Sequence, residues 1–257
     1  MSLLRTNDLS VRFGGVVAND EINISVDEGQ VVGLIGPNGA GKTTFIDAIT
    51  GYVASTGSIE LDGNDIRALK PHQRVGRGLV RTFQSLELFE DLSVEDNLLV
   101  AAQSARWYDS LLDIVRLNRT PSVVAERVDR SLDVVGLSDV RHSNPSSLSQ
   151  GQRKLVGVAR ALAANPRLVL LDEPAAGLDT AESQVLGQRL RTLPASGASV
   201  LLIDHDMGLV LSVCDYLYVL DFGRIIAEGT PSEVRSNPVV IHAYLGESAG
   251  AAQEGEP

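Results

Sequence analysis

The stretch Gly36–Pro37–Asn38–Gly39–Ala40–Gly41–Lys42–Thr43 limits what the rest of the chain can be. It fits the spacing GxxxxGK[ST]. It lies between a continuous apolar run, Val31–Ile35, and an apolar helical pattern from Thr44 to Ile49 that Gly51 is placed to stop. Strand, glycine-rich turn and helix in that order make a cradle for phosphate. Glycines let the backbone curl until successive N–H groups point inward, and the helix adds the positive end of its dipole. Lys42 is placed to reach β and γ phosphates, the Thr43 hydroxyl is a ligand for Mg2+, and Thr44 continues the helix start. Between Gly29 and Ile46, Lys42 is the one charged side chain. A plain turn would also explain a bare pattern match; the strand, the helix and the acid-free surroundings favour phosphate.

Composition narrows the partners. The chain has 257 residues and a formal net charge of −11. Nucleic-acid binding relies on basic side chains that neutralise phosphates, so no nucleic-acid partner is expected. A single cysteine, Cys214, excludes an internal disulfide framework and a four-cysteine zinc site, and it is expected to be buried and inert. No apolar run reaches the roughly 18–20 residues that cross a bilayer. Met1 to Phe13 carries Arg5, Asp8 and Arg12 and does not read as a secretory signal. A soluble, cytoplasmic protein is expected.

Strand-like runs recur at Val31–Ile35, Ser58–Leu61, Leu79–Thr82, Leu168–Leu171, Val200–Ile203 and Tyr216–Leu220, with helical patterns between several of them. That alternation predicts an α/β fold with a mainly parallel sheet. Pieces near Leu9–Phe13 and Ile22–Val26 are close enough in sequence to pair antiparallel. From Leu86 to Leu148 the pattern turns helical. The expectation is one domain over 1–247, with a core of about 1–85 and 149–247, a helical subdomain over about 86–148, and a flexible acidic tail over 248–257.

The run Leu168–Leu171 reads as a strand covered on both faces, and it ends in Asp172–Glu173–Pro174. Ligands of open α/β sheets gather at the carboxyl ends of strands. Neighbouring strand side chains point to opposite sides, so the two acids should differ in role. Asp172 suits Mg2+ coordination, and Glu173 suits polarising a water for attack on a γ phosphate. A charged strand exit is the plain alternative. Ser149 and Gln152 fit a capping box ahead of an amphipathic helix bearing Leu155, Val158, Ala159 and Leu162, and Gly151 leaves that helix start open to an anion. Asp179 reads as another N-cap, with Glu182 completing a box. Arg74, Arg77 and Arg81 read as a solvated basic face.

In order, the phosphate loop, Gln84, Leu148–Ser149–Gln150–Gly151–Gln152, Asp172–Glu173, Gly177–Leu178–Asp179 and His205 resemble an ATP-binding cassette (ABC) ATPase. Gln150 stands where that family's LSGGQ signature has its first glycine, and Gly151 retains the second. The resemblance implies a P-loop NTPase: a RecA-like, mainly parallel core with a small antiparallel β subdomain and an inserted helical subdomain. It implies ATP and Mg2+ as cofactors, and two cassettes paired head to tail. Ser149, Gln150, Gly151 and Gln152 would face ATP held across the dimer, Ser149 and Gly151 touching its γ phosphate. It also implies that Phe13 stacks on adenine and that Gln84 contacts Mg2+ and the attacking water. His205 would sense the γ phosphate, and Asp179 would communicate across the dimer.

Finer resemblance runs through Arg81–Thr82–Phe83–Gln84, Asn97–Leu98–Leu99–Val100–Ala101, Pro174–Ala175–Ala176–Gly177–Leu178, His205–Asp206–Met207 and Ala243–Tyr244–Leu245–Gly246–Glu247. These are similar to branched-chain amino-acid importer ATPases, with urea and short-chain amide importers as close relatives. That group implies a homo- or heterodimer on the inner face of the cell membrane, integral membrane permease subunits and, indirectly, an external solute-binding protein. The permease would dock near Gln84 to Asn97, where Phe83, Leu86, Leu88, Phe89 and Leu92 are apolar. Alternatives are a lipopolysaccharide-export ATPase and an iron–sulfur assembly ATPase.

Overall fold

The computed structural model describes residues 2–82, 88–103 and 122–251, and side chains as far as Tyr244. Two sheets organise it. The first is antiparallel, in the order β2-β1-β4-β5: β1 Ser2–Phe13, β2 Val16–Asp27, β4 Thr56–Leu61 and β5 Asn64–Asp65. The pieces at Leu9–Phe13 and Ile22–Val26 are the ends of strands that run much further, and they pair antiparallel as expected.

The second sheet has the order β10-β9-β3-β8-β7-β6: β3 Val31–Ile35, β6 Leu79–Thr82, β7 Leu168–Asp172, β8 Ser199–Ile203, β9 Tyr216–Asp221 and β10 Arg224–Gly229. Its strands are parallel except β10, which closes a hairpin with β9. β5 and β10 carry no clear strand signal in the sequence. β10 alternates poorly and is half-buried, and β5 is a two-residue edge.

The helices are α1 Lys42–Thr50, α2 Pro71–Val75, α3 Val94–Ala102, α4 Ser122–Val135, α5 Gln150–Ala163, α6 Thr180–Leu190, α7 Met207–Val213, α8 Pro231–Ser236 and α9 Pro238–Ala251. α9 runs past residue 247, where the tail was expected to begin.

Continuous apolar strands follow from burial on both sheet faces. In β3, β7 and β8 the even and odd positions enter different cores. Val31, Val169, Leu171, Val200 and Leu202 pack with the helices, whereas Val32, Leu34, Leu168, Leu170 and Leu201 pack with α1 and the antiparallel sheet. α5 carries Leu155, Val158, Ala159 and Leu162 buried on one face, and it packs against both α3 and α4 as well as touching β6 and β7. No helix among the described residues is long and apolar enough to cross a membrane.

Candidate active site

Parallel pairing brings the carboxyl ends of β3, β8, β7 and β6 to one edge of the sheet. β3 exits into the phosphate loop, β7 into Asp172 and Glu173, and β8 into Asp204 and His205. The site residues on these strands therefore share one edge because of the topology.

The loop is built around glycines in the left-handed region, where a side chain is strained. Gly39 and Gly41 have φ of 78° and 105°. A Cβ on Gly41 would lie 2.6 Å from Ala18 O and 2.8 Å from Asn19 Nδ2. Asn19 is buried on β2 and donates to Gly41 O at 3.2 Å, so the antiparallel sheet braces the loop. Gly36 and Pro37 are buried, while Asn38 and Gly39 are exposed at the tip, with Ala40 buried beneath. Lys42 is buried and folds back to donate to Gly36 O at 2.5 Å and Pro37 O at 2.8 Å. Thr43, at the first turn of α1, is exposed, and Thr44 is half-buried. Gly51 ends α1 in the left-handed conformation, as its position predicted.

Asp172 and Glu173 separate by a backbone device. Asp172 ends β7 and is nearly buried. Glu173 donates its N–H to Ile203 O at 2.7 Å and then turns left-handed, with φ 47°. Such a conformation is costly for a side chain with a Cβ and concentrates at functional positions. It turns the chain out of the strand direction at the acid. Glu173 Oε2 lies 3.8 Å from His205 Nδ1, and His205 is exposed. Asp204, fully buried, accepts from Ala175 N and Asp206 N at 3.1 and 3.0 Å and so ties the exits of β7 and β8 together.

The helix start at Ser149 forms the expected capping box: Gln152 N donates to Ser149 Oγ at 3.2 Å, and Ser149 N to Gln152 Oε1 at 3.0 Å. Gln150 is exposed, and its Nε2 lies 2.9 Å from where a Cβ on Gly177 would stand. Asp179 caps α6 by accepting from Glu182 N at 2.8 Å. The expected box at this cap does not form, because the Glu182 side chain turns away to accept from Gly151 N at 3.0 Å. Phe13 stands at the end of β1 with 52% of its surface exposed, which rules out ordinary core packing for it. Gln84, Phe83 and Leu86 lie outside the described residues.

Of the basic cluster, Arg77 is exposed as the solvated reading expects, but Arg74 and Arg81 are not. Arg74 is 3% exposed and donates to the carbonyls of Ala48, Ile49, Arg67 and Leu69, at 2.8 to 3.0 Å. It caps the carboxyl end of α1, where unsatisfied carbonyls favour a cation. Burial lowers its pKa from the ordinary value, with Asp65 opposing. Arg81 bridges Asp47 and Asp172. Burial opposes its charge, but the hydrogen bonds and charges of the two carboxylates prevail and raise its pKa. Lys154 on α5 is also buried. Burial lowers its pKa, while the charges of Asp204 and Glu173 oppose that shift. Sequence reasoning missed Asn19, Lys154 and Asp204, since each is an ordinary polar residue until the fold brings it to the sheet edge.

Thr43 and Asp172, one hydroxyl and one carboxylate, are hard oxygen donors of the kind Mg2+ takes. Among the described residues no group of three or more His, Cys, Asp or Glu could hold a metal ion. Asp172 Oδ2 is engaged by Arg81.

The chain is similar to known proteins over most of its length. The family described as ABC transporter matches residues 19–176, and the branched-chain amino acid ATP-binding cassette transporter family matches 224–250. The chain is 39% identical to the high-affinity branched-chain amino acid transport ATP-binding protein BraF of Pseudomonas aeruginosa, over 96% of this chain and 98% of that one. It is 38% identical to LivG of Escherichia coli, with the same coverage, and 35% to the lipopolysaccharide export ATP-binding protein LptB of Haemophilus influenzae, again 96% and 98%. Among solved structures, an ABC transporter cassette in its ADP conformation superposes with a TM-score of 0.84 at 34% identity, covering 96% of this chain and 99% of that one. A nucleotide-free cassette gives 0.81 at 33% identity, covering 95% and 99%. With the phosphate cradle, the acidic strand exits and the capped helix start in their places, the chain belongs to the ABC transporter ATP-binding cassette family.

Proposed function

We propose that the chain binds and hydrolyses ATP as the motor subunit of an importer for branched-chain amino acids. The observation that carries this is the shared sheet edge, where the phosphate loop, Asp172, Glu173 and His205 meet. The C-terminal match at 224–250 and the relatives BraF and LivG favour the branched-chain group over the lipopolysaccharide exporter.

Lys42 and the backbone N–H groups of residues 38–43 bind the phosphates, and Phe13 stacks on the adenine with its exposed ring. Thr43 and Asp172, with Gln84, would hold Mg2+, which supplies charge neutralisation on the phosphate oxygens. Glu173 accepts a proton from the attacking water, and His205 orients the carboxylate or the γ phosphate. Ser149, Gln150, Gly151 and Gln152 face nucleotide bound by a second cassette, and Asp179 signals between the two. Closure on ATP and reopening after hydrolysis is the output. The subunit works at the inner face of the cell membrane, docked on permease subunits that an external binding protein loads.

Phe89 is 48% exposed on a loop that buried Asn97 pins, accepting from Phe89 N at 2.9 Å and donating to Phe89 O at 3.0 Å. A charge there, Phe89→Asp, should release the permease and leave nucleotide binding intact. The direct test is ATP hydrolysis by the reassembled transporter in proteoliposomes. A binding protein loaded with leucine, isoleucine or valine should stimulate it; stimulation only by urea or an amide would overturn the substrate class.

A further inference from the structure

We propose that Arg81 is a positioning residue for the Asp172 carboxylate, holding it against Asp47 on the helix behind the phosphate loop. The inference rests on the metal role given to Asp172 above. Arg81 Nη2 donates to Asp172 Oδ2 at 2.8 Å, and Nη1 donates to Asp47 Oδ1 at 2.5 Å. The side chains of Arg81 and Asp172 are 10% and 9% exposed, and that of Asp47 is 29% exposed.

The sheet dictates this meeting. β6 and β7 are parallel neighbours with Arg81 beside Leu170. Alternation then puts Arg81, Leu170 and Asp172 on one face, the face whose core contains α1. Asp47 comes from α1, five residues after Lys42. One guanidinium thus joins three elements of the site: the strand that leads to Gln84, the strand that ends in Asp172, and the helix that carries Lys42. Its fork has separate N–H groups for two carboxylates, which a lysine ammonium cannot serve in the same geometry. Without it, both carboxylates lose the donor and the positive charge that Arg81 supplies.

A bystander cation and a positioning cation predict opposite results. A fixed positive charge beside a divalent ion repels it, so removing a bystander strengthens metal binding. Removing the group that fixes a ligand's orientation weakens it, with partners of this kind typically worth about 10- to 100-fold in metal affinity.

The test uses the whole chain and a fluorescent ATP analogue, titrated first in EDTA and then with Mn2+ or Mg2+. Wild-type affinity should rise with metal. Arg81→Gln should keep metal-free affinity within about twofold, while the metal-dependent gain falls about tenfold. Arg81→Lys should recover part of the gain, and Asp47→Asn should lose a smaller part. An equal or larger gain in Arg81→Gln overturns the inference. Should Arg81→Gln fail to fold, Arg81→Lys and Asp47→Asn decide, and wild-type gains in both overturn it. No gain in the wild type itself would instead remove the metal role of Asp172, and this inference with it.

Discussion

Glu173 Oε2 and His205 Nδ1 lie 3.8 Å apart at the exits of neighbouring parallel strands. That is too long for a direct hydrogen bond, yet both groups address the same small volume. Glu173→Gln keeps the shape and removes the base. Hydrolysis should fall on the order of 10²- to 10⁴-fold, with ATP affinity retained. Phosphate release and fluorescent-nucleotide binding check the two halves. Turnover near the wild-type rate would contradict the role of Glu173.

Lys42→Ala should abolish measurable ATP binding in equilibrium dialysis while the protein stays folded. The Lys42 ammonium donates to the Gly36 and Pro37 carbonyls of its own loop. Charge-assisted hydrogen bonds are each worth about 1.5–3 kcal/mol, so nucleotide phosphates lose most from the change. A cooperative thermal transition, lowered because the Gly36 and Pro37 carbonyls lose their donor, is expected alongside the binding loss.

Arg74 offers a contrast, because its loss should be felt in stability. Arg74→Ala leaves the carbonyls of Ala48, Ile49, Arg67 and Leu69 without this donor. Unmet buried groups cost about 1–3 kcal/mol each, less where water enters, so a total of about 3 kcal/mol is expected in urea unfolding. A change below about 0.5 kcal/mol, the usual limit for surface positions, would mean that Arg74 is solvated after all.

Cys214 should be silent. Burial, with a smaller contribution from Asp215, pushes its thiol pKa up to about 12. The folded value lies above the unfolded one, so the neutral thiol's contribution to stability is present below the ordinary thiol pKa and lost as pH rises toward about 12. At neutral pH an aromatic disulfide reagent should react only after denaturant is added. Prompt reaction of the native protein would contradict the burial.

The local signals were legible from sequence. The phosphate loop, the capping box at Ser149 and Gln152, and the acids after Leu168–Leu171 each declare themselves within a few residues, and the structure places each in the expected setting. Long-range pairings were not. Arg81 advertises a charge but not the Asp172 lying 91 residues away. Glu182 matches a capping box by spacing, but a backbone N–H on another helix competes for its carboxylate and wins. Glu173 could be named as an acid, yet nothing in its neighbours announces a left-handed backbone.

The bond between Glu182 and Gly151 has a consequence for whatever reaches the start of α5. Two of that helix's leading N–H groups are already engaged inside the chain, Gly151 by Glu182 and Gln152 by Ser149. An incoming anion does not fill a vacancy there; it competes with a resident carboxylate for the same donor. Occupancy is then an exchange reaction, and its equilibrium depends as much on where Glu182 goes next as on the newcomer's own charge.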